Sequence, residues 1–172
     1  SESMEQHLNG LAIGVRAYLA AATKATRDLV TVNGEVDAQL AHRHQRSLHG
    51  LAWIATTAEA LLGSARRGLA LVQASRLGEA ETLLLGIGLG EYLEQLSGGI
   101  PMSQVEIIRT DALGVLKADV RKFEDAVADL IEEGSSETVK ARLGALISAQ
   151  PGAMTFGDTG LDEIHAEIQN TM

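Results

Sequence analysis

The chain has 172 residues, 45% of them hydrophobic, so it is long enough for one domain with its own core and too apolar for wholesale disorder. Its 14 basic and 23 acidic residues leave a net charge of −9, which disfavours nucleic-acid backbones and anionic membrane surfaces as partners. There is no cysteine, hence no disulfide, thiol nucleophile or zinc-thiolate site.

Only 3% of residues are aromatic, so the core has to be aliphatic, and the leucine and alanine content favours helix over strand. No run approaches the ~18 apolar residues of a membrane span. The first residues lack the basic-then-apolar order of a signal peptide. A cytoplasmic location is the expectation.

The first segment predicts a helix from about Met4 to Val32. Met4, Leu8, Leu11, Val15, Tyr18, Ala22, Ala25 and Leu29 alternate steps of four and three along one seam. Asn33-Gly34 breaks it. A second helix is expected from an Asp37 N-cap to Ser75 or Arg76, with Leu40, His44, Leu48, Leu51, Ala55, Ala58, Leu62, Ala65, Leu69 and Val72 in the same rhythm. Gly50, Gly63 and Gly68 are places where it can bend.

Gly78 to Pro101 is the most apolar and most glycine-studded stretch. Leu85, Leu89, Tyr92, Leu93 and Leu96 share one helix face, and Leu83, Leu84 and Ile87 carry the apolar surface round most of the cylinder. A helix apolar nearly all round is expected at the centre of a fold. Gly86, Gly88 and Gly90 each cost about 1 kcal/mol of helix propensity, which the close approach of a neighbouring backbone would offset. Gly98, Gly99 and Pro101 end the helix.

Ser103 to Arg109 reads as a short helix, with Ser103 as N-cap and Glu106 as its capping-box partner. Asp111 is the expected cap of the next helix, which carries Leu113, Leu116, Val120, Phe123, Val127 and Leu130. Gly134-Ser135-Ser136 closes it and caps another, with Val139, Leu143, Leu146 and Ile147 as its stripe. No alternating strand pattern stands out. The fold class is therefore all-α: an antiparallel multi-helix bundle around a central apolar, glycine-containing helix. Residues 1–150 form the bundle domain. Residues 151–160, rich in glycine, are a linker. Residues 161–172, with Leu161, Ile164, Ile168 and Met172, begin a further helix that is cut short.

The candidate sites are sparse. Gly86-x-Gly88-x-Gly90 lacks the spacing and the preceding strand of a dinucleotide loop, so helix packing is the better reading. His42, His44 and His49 cluster, but no Glu-x-x-His pair accompanies them, and hydrogen-bonded histidines are expected rather than metal ligands. Glu91 and Glu94 lie one turn apart and suit acid-base work only if something brings substrate to them. Arg66, Arg67 and Arg76 are their expected ion-pair partners, and Trp53 reads as a core or interface anchor. No catalytic, cofactor-binding or metal residue is assigned. The alternative site is His44, His49, Glu91 and Glu94.

Several segments carry a resemblance. His49-Gly-Leu-Ala-Trp-Ile-Ala-Thr56, Arg76-Leu-Gly-Glu-Ala-Glu81, Gly90-Glu-Tyr-Leu93 and, most specifically, Gly98-Gly-Ile-Pro-Met-Ser-Gln-Val-Glu-Ile-Ile-Arg109 resemble a helical region that precedes the catalytic portion of certain bacterial acyl-CoA dehydrogenases. Gly157 to Gln169 is similar to the junction where the flavoenzyme portion begins. The resemblance implies an N-terminal extension domain with no cofactor of its own. It implies a parent enzyme that oxidises an acyl-CoA thioester to the 2-enoyl form with FAD and passes electrons to electron-transfer flavoprotein. None of the family's functional residues maps onto this chain.

Two functional readings follow. In the first, the bundle is a non-catalytic accessory domain packed on the downstream flavoenzyme domain or on another subunit. In the second, it is an independent ligand-binding or enzymatic bundle with a site near the central helix, lined by His44 or His49 and Glu91. Homo-oligomer formation through the apolar seams is compatible with either.

Overall fold

A computed structural model describes residues 2–150 and 167–168. The expected linker at 151–160 and most of the expected helix at 161–172 lie outside the described residues. The described chain is an all-α bundle with two very small hairpins. Its elements are α1 (Glu2–Val30), β1 (Thr31–Val32), β2 (Glu35–Val36), α2 (Ala38–Arg43), α3 (Gln45–Gln73), α4 (Glu79–Gly98), β3 (Ile100–Pro101), β4 (Ile107–Ile108), a 3-10 helix (Thr110–Leu113), α5 (Lys117–Ser135) and α6 (Glu137–Ala149).

The four long helices close a ring in the order α1, α3, α4, α5, each packed on its two neighbours. They run alternately up and down. Leu8, early in α1, meets Gly68, late in α3, and His7 lies 3.6 Å from Asp129, late in α5. The α3–α4 side of the ring is the least densely packed. Inside the ring lies one aliphatic core that includes Leu8, Leu11, Ile54, Leu93, Leu96 and Leu130. α6 sits outside, against α4 and α5, with no buried residue. A forked Arg142–Glu79 pair, at 2.7 and 2.9 Å, holds it there.

The α1 seam is buried as the spacing predicts from Met4 to Ala22, then drifts. Thr26 and Val30 are buried where Ala25 and Leu29 are only half-buried. A straight helix of 3.6 residues per turn outruns a 3.5-residue repeat, so the buried line advances to steps of four. The Thr26 hydroxyl finds no hydrogen-bond partner among the described residues. Asn33 and Gly34, both at positive φ, form a two-residue turn that pairs β1 with β2 antiparallel.

Asp37 caps as expected, its carboxylate accepting from the Leu40 amide at 2.8 Å. The second helix then bends at His44 into α2 and α3. Beyond the bend the buried seam is Ser47, Gly50, Ile54, Ala58, Leu61, Leu62, Ala65 and Gly68, offset by about one residue from the predicted line at its start. Small residues set that phase. The Ser47 hydroxyl donates to the Ala112 carbonyl at 2.7 Å, and Gly50 lies under the side chain of Ile108.

The expected helix at 103–109 is instead a hairpin, in which Ile100 pairs with Ile108 and Pro101 with Ile107. Ile100 and Ile108 are buried, while Pro101 and Ile107 face out. Gly99, at φ +133, turns the chain out of α4, and any side chain there would strike Ile107. A tertiary partner prevents the capping box. The Glu106 carboxylate pairs with Arg46 Nε at 3.2 Å, and Arg46 Nη2 donates to the Ile107 carbonyl. The next helix also starts later than expected, at Lys117. Leu113 is buried in the 3-10 turn, whereas Leu116 is exposed.

α4 is not the enclosed centre that its composition suggests. Gly86, Leu89, Gly90, Leu93 and Leu96 are buried, but Leu84 is 58% and Tyr92 54% exposed. α4 is one of four ring members and meets water on one side. The glycines explain part of the discrepancy. A Cβ on Gly90 would lie 2.6 Å from the Leu130 carbonyl oxygen and 2.8 Å from Gly134 Cα, and a Cβ on Gly134 would lie 2.8 Å from the Gly86 carbonyl oxygen. Gly86 and Gly90 thus let α5 approach at backbone contact, whereas Gly88 faces open space.

The Tyr18 hydroxyl donates to the Leu96 carbonyl at 2.7 Å, in the last turn of α4, where intrahelical donors run out. Its ring packs 4.7 Å from that of Phe123. Burial, with Glu124 adding to it, raises the phenol's pKa well above the usual tyrosine value. The folded state therefore holds the Tyr18 proton that the unfolded chain releases above about pH 10. Stability from this group is complete below that pH and is lost as pH rises above it. Urea denaturation should show wild type weakening steeply above about pH 10 and Tyr18→Phe less so, with Tyr18→Phe costing about 1–2 kcal/mol at neutral pH. Identical pH slopes would remove Tyr18 from this role.

The same measurement tests the helix crossing. Gly90→Ala and Gly134→Ala should each cost roughly 1–3 kcal/mol through overpacking, while Gly88→Ala gains up to about 1 kcal/mol of helix propensity. Equal effects at positions 88 and 90 would contradict the α4–α5 contact.

Candidate functional site

α4 divides its apolar residues between two faces. One enters the core. The other follows Leu84, Gly88 and Tyr92, four residues apart, and borders a groove of about 650 Å³ against α3. The α3 wall presents Trp53, Thr57, Ala60, Ser64, Arg67 and Leu71 at alternating steps of four and three. This is a second seam on the side of α3 turned from α1. Small side chains at 60, 64 and 88 leave the middle of the groove open.

Charge is confined to one end. Arg67, Arg76 and Glu81 line the groove near the α3–α4 connection. Among the described residues, no ion pair involves any of the three. At the other end, Trp53 is 38% exposed and its indole N–H donates to His49 Nε2 at 3.0 Å. The two rings meet edge to face.

The residues singled out from the sequence fall on different surfaces. His49 is exposed beside Trp53, outside the groove lining. His44 is half-buried at the bend between α2 and α3. His42 is exposed, its Nδ1 2.9 Å from the Gln45 amide nitrogen. Glu91 is turned toward α6, where its carboxylate pairs with Lys140 at 3.2 Å. That lysine, rather than Arg66, Arg67 or Arg76, is its partner, and Arg66 pairs with Glu59. Glu94 is exposed on α4. Gly86, Gly88 and Gly90 stand inside a helix, whose amides are bonded internally, so they form no phosphate loop.

Sequence reasoning singled out Trp53 and the α4 wall, Leu84, Gly88 and Tyr92, but not most of the α3 wall opposite, and so missed the groove. The second seam of α3 contains threonine, serine and arginine, so a search for apolar periodicity passes over it. The signal that remained was Trp53 and the all-round apolarity of α4. Among the described residues, no helix is long and apolar enough to cross a membrane, and no group of three His, Asp or Glu is gathered for a metal ion.

Two substitutions separate the faces of α4. Leu93→Asp places a charge in the sealed core and should cost at least about 3 kcal/mol, enough to unfold a marginal bundle. Leu84→Asp, on the groove face, should change stability by no more than about 0.5 kcal/mol. Thermal melts that rank the two the other way would reverse the assignment of faces.

No family model matches the sequence. The chain is 38% identical over 149 residues, 87% of its length, to (2S)-methylsuccinyl-CoA dehydrogenase of Cereibacter sphaeroides. The match covers 27% of that protein, so the chain spans about a quarter of the relative's length. It is thus similar to a part of an acyl-CoA dehydrogenase, in agreement with the resemblance carried by residues 49–109.

Proposed function

We propose that this chain is a non-catalytic helical accessory domain, the N-terminal extension of an FAD-dependent acyl-CoA dehydrogenase. The observation that carries the reading is the proportion of the match. Most of this chain corresponds to a minor part of a CoA-thioester dehydrogenase. In this reading residues 1–150 are the domain, 151–160 the linker and 161–172 the start of the next helix. The parent enzyme would oxidise an acyl-CoA to the 2-enoyl-CoA. The relative's name suggests a thioester related to methylsuccinyl-CoA. Electron-transfer flavoprotein would be the acceptor and the cytoplasm the location.

The residues described here do not fit a flavin. Among the described residues, the glycine-rich run of α4 is sealed in a helix, and the groove end that holds Arg67 and Arg76 has a carboxylate, Glu81, beside them. FAD would therefore be held by the remainder of the polypeptide, and no chemical step is assigned to this chain. Its contribution would be packing and orientation.

A second reading, an independent ligand-binding bundle, draws support from the groove, whose volume falls in the range of small-molecule sites. Colour and melting temperature discriminate. The 172-residue chain alone should be colourless, with no thermal shift on adding FAD or an acyl-CoA. The longer polypeptide should be yellow and bleach on adding a CoA thioester. A yellow 172-residue chain, or one stabilised by FAD, would overturn the accessory reading.

A further inference from the structure

We propose that the groove between α3 and α4 seats a partner helix with a ridge of aliphatic side chains and with carboxylates at the end that meets Arg67 and Arg76. The proposal rests on the accessory-domain reading and takes that helix from the part of the polypeptide outside the matched region.

Shape carries the first part of the argument. Two antiparallel helices, each with a second seam, form an open trough on the least densely packed side of the ring. Its lining combines the small residues Ala60, Ser64, Gly68 and Gly88 and the buried Leu61 and Leu89 with the larger Trp53, Tyr92, Leu71 and Leu84. Small residues between large ones accept the ridge of a crossing helix. Trp53 to Leu71 spans about 27 Å of helix axis, enough for a partner of up to five turns. Contiguous exposed apolar surface of this kind commonly marks an interaction site. Apolar-groove recognition of an amphipathic helix is an established mode.

Charge carries the second part. The chain has a net charge of −9, yet two guanidiniums without an ion pair among the described residues stand at one end of this groove. Glu81 offsets one of them, which leaves a net positive end. A partner carboxylate there would gain what no described residue supplies, and it would set the partner's direction. Most of the relative's length lies outside the match, so on the accessory-domain reading a tethered partner would be present at roughly millimolar effective concentration. At that concentration a modest interface suffices.

Hydroxyl-radical footprinting reads the exposure of the groove side chains directly. It should be run on the 172-residue chain and on the longer polypeptide that contains it. In the longer polypeptide, oxidation of Trp53, Leu84 and Tyr92 should fall several-fold, while that of Leu116, exposed elsewhere, stays the same. Arg67→Glu with Arg76→Glu should restore oxidation at the three positions, and Arg67→Lys with Arg76→Lys should not. Continued protection of the core rings of Tyr18 and Phe123 certifies that the bundle of each variant is folded. Equal oxidation in the two proteins overturns the proposal, as does protection that survives the double charge reversal. Protection that grows with concentration of the 172-residue chain alone assigns the groove to a second copy and also overturns it. So does a saturable shift of Trp53 emission, the chain's only tryptophan, on titration with dodecanoate, which would mark a small amphiphile as occupant. A colourless longer polypeptide with a covered groove overturns the flavoenzyme reading alone.

Discussion

The bundle depends on the crossing of α4 and α5. Gly90 and Gly134 lie so close that a single methyl group on either would touch the other helix's backbone. That approach draws Leu89, Leu93 and Leu96 against Leu130 and Val127 and completes the dry interior of the ring. It also fixes the rotation of α4 about its own axis. With Gly86 and Gly90 facing α5, the line through Leu84, Gly88 and Tyr92 has to point elsewhere, and it points at the gap beside α3. The groove is a geometric consequence of the glycine contact.

Much of this fold is legible in the sequence because most of it follows from period. The seam of α1 as far as Ala22, that of α5 from Phe123 to Leu130, the Asp37 and Ser136 caps and the end of α4 all rest on local rules, and the structure has them. The misreadings share a cause, which is a tertiary partner that outweighs a local preference. Arg46 takes Glu106 away from a capping box and stabilises a hairpin in place of a helix. Ser47 and Gly50 set the phase of α3 by fitting Ala112 and Ile108, although neither residue is apolar enough to announce a seam. For α4, composition cannot distinguish a helix enclosed by its own chain from one that leaves a face available. Only the direction of the glycines separates those cases.

The functional residues were harder to read for the same reason. Histidines and glutamates attract attention as chemistry-bearing types, yet His44, His49 and Glu91 stand apart, on a bend, an exposed turn and the α6 side of α4. The residues that do converge are an unremarkable set: an indole, a phenol, six leucines, several small residues, two threonines, two guanidiniums and one carboxylate. Such a set suits recognition better than reaction, in keeping with a chain that resembles a fraction of a larger dehydrogenase.

α6 adds a different property. It buries no side chain, and its grip on the ring includes the Arg142 fork on Glu79 and the Lys140 contact with Glu91, all on the surface. Exposed ion pairs weaken as salt shortens the Debye length, about 10 Å at 0.1 M. Ionic strength should therefore act on this protein as a selective loosening agent. The sixth helix would detach and fray in brine while the hydrocarbon-sealed ring beneath it keeps its shape.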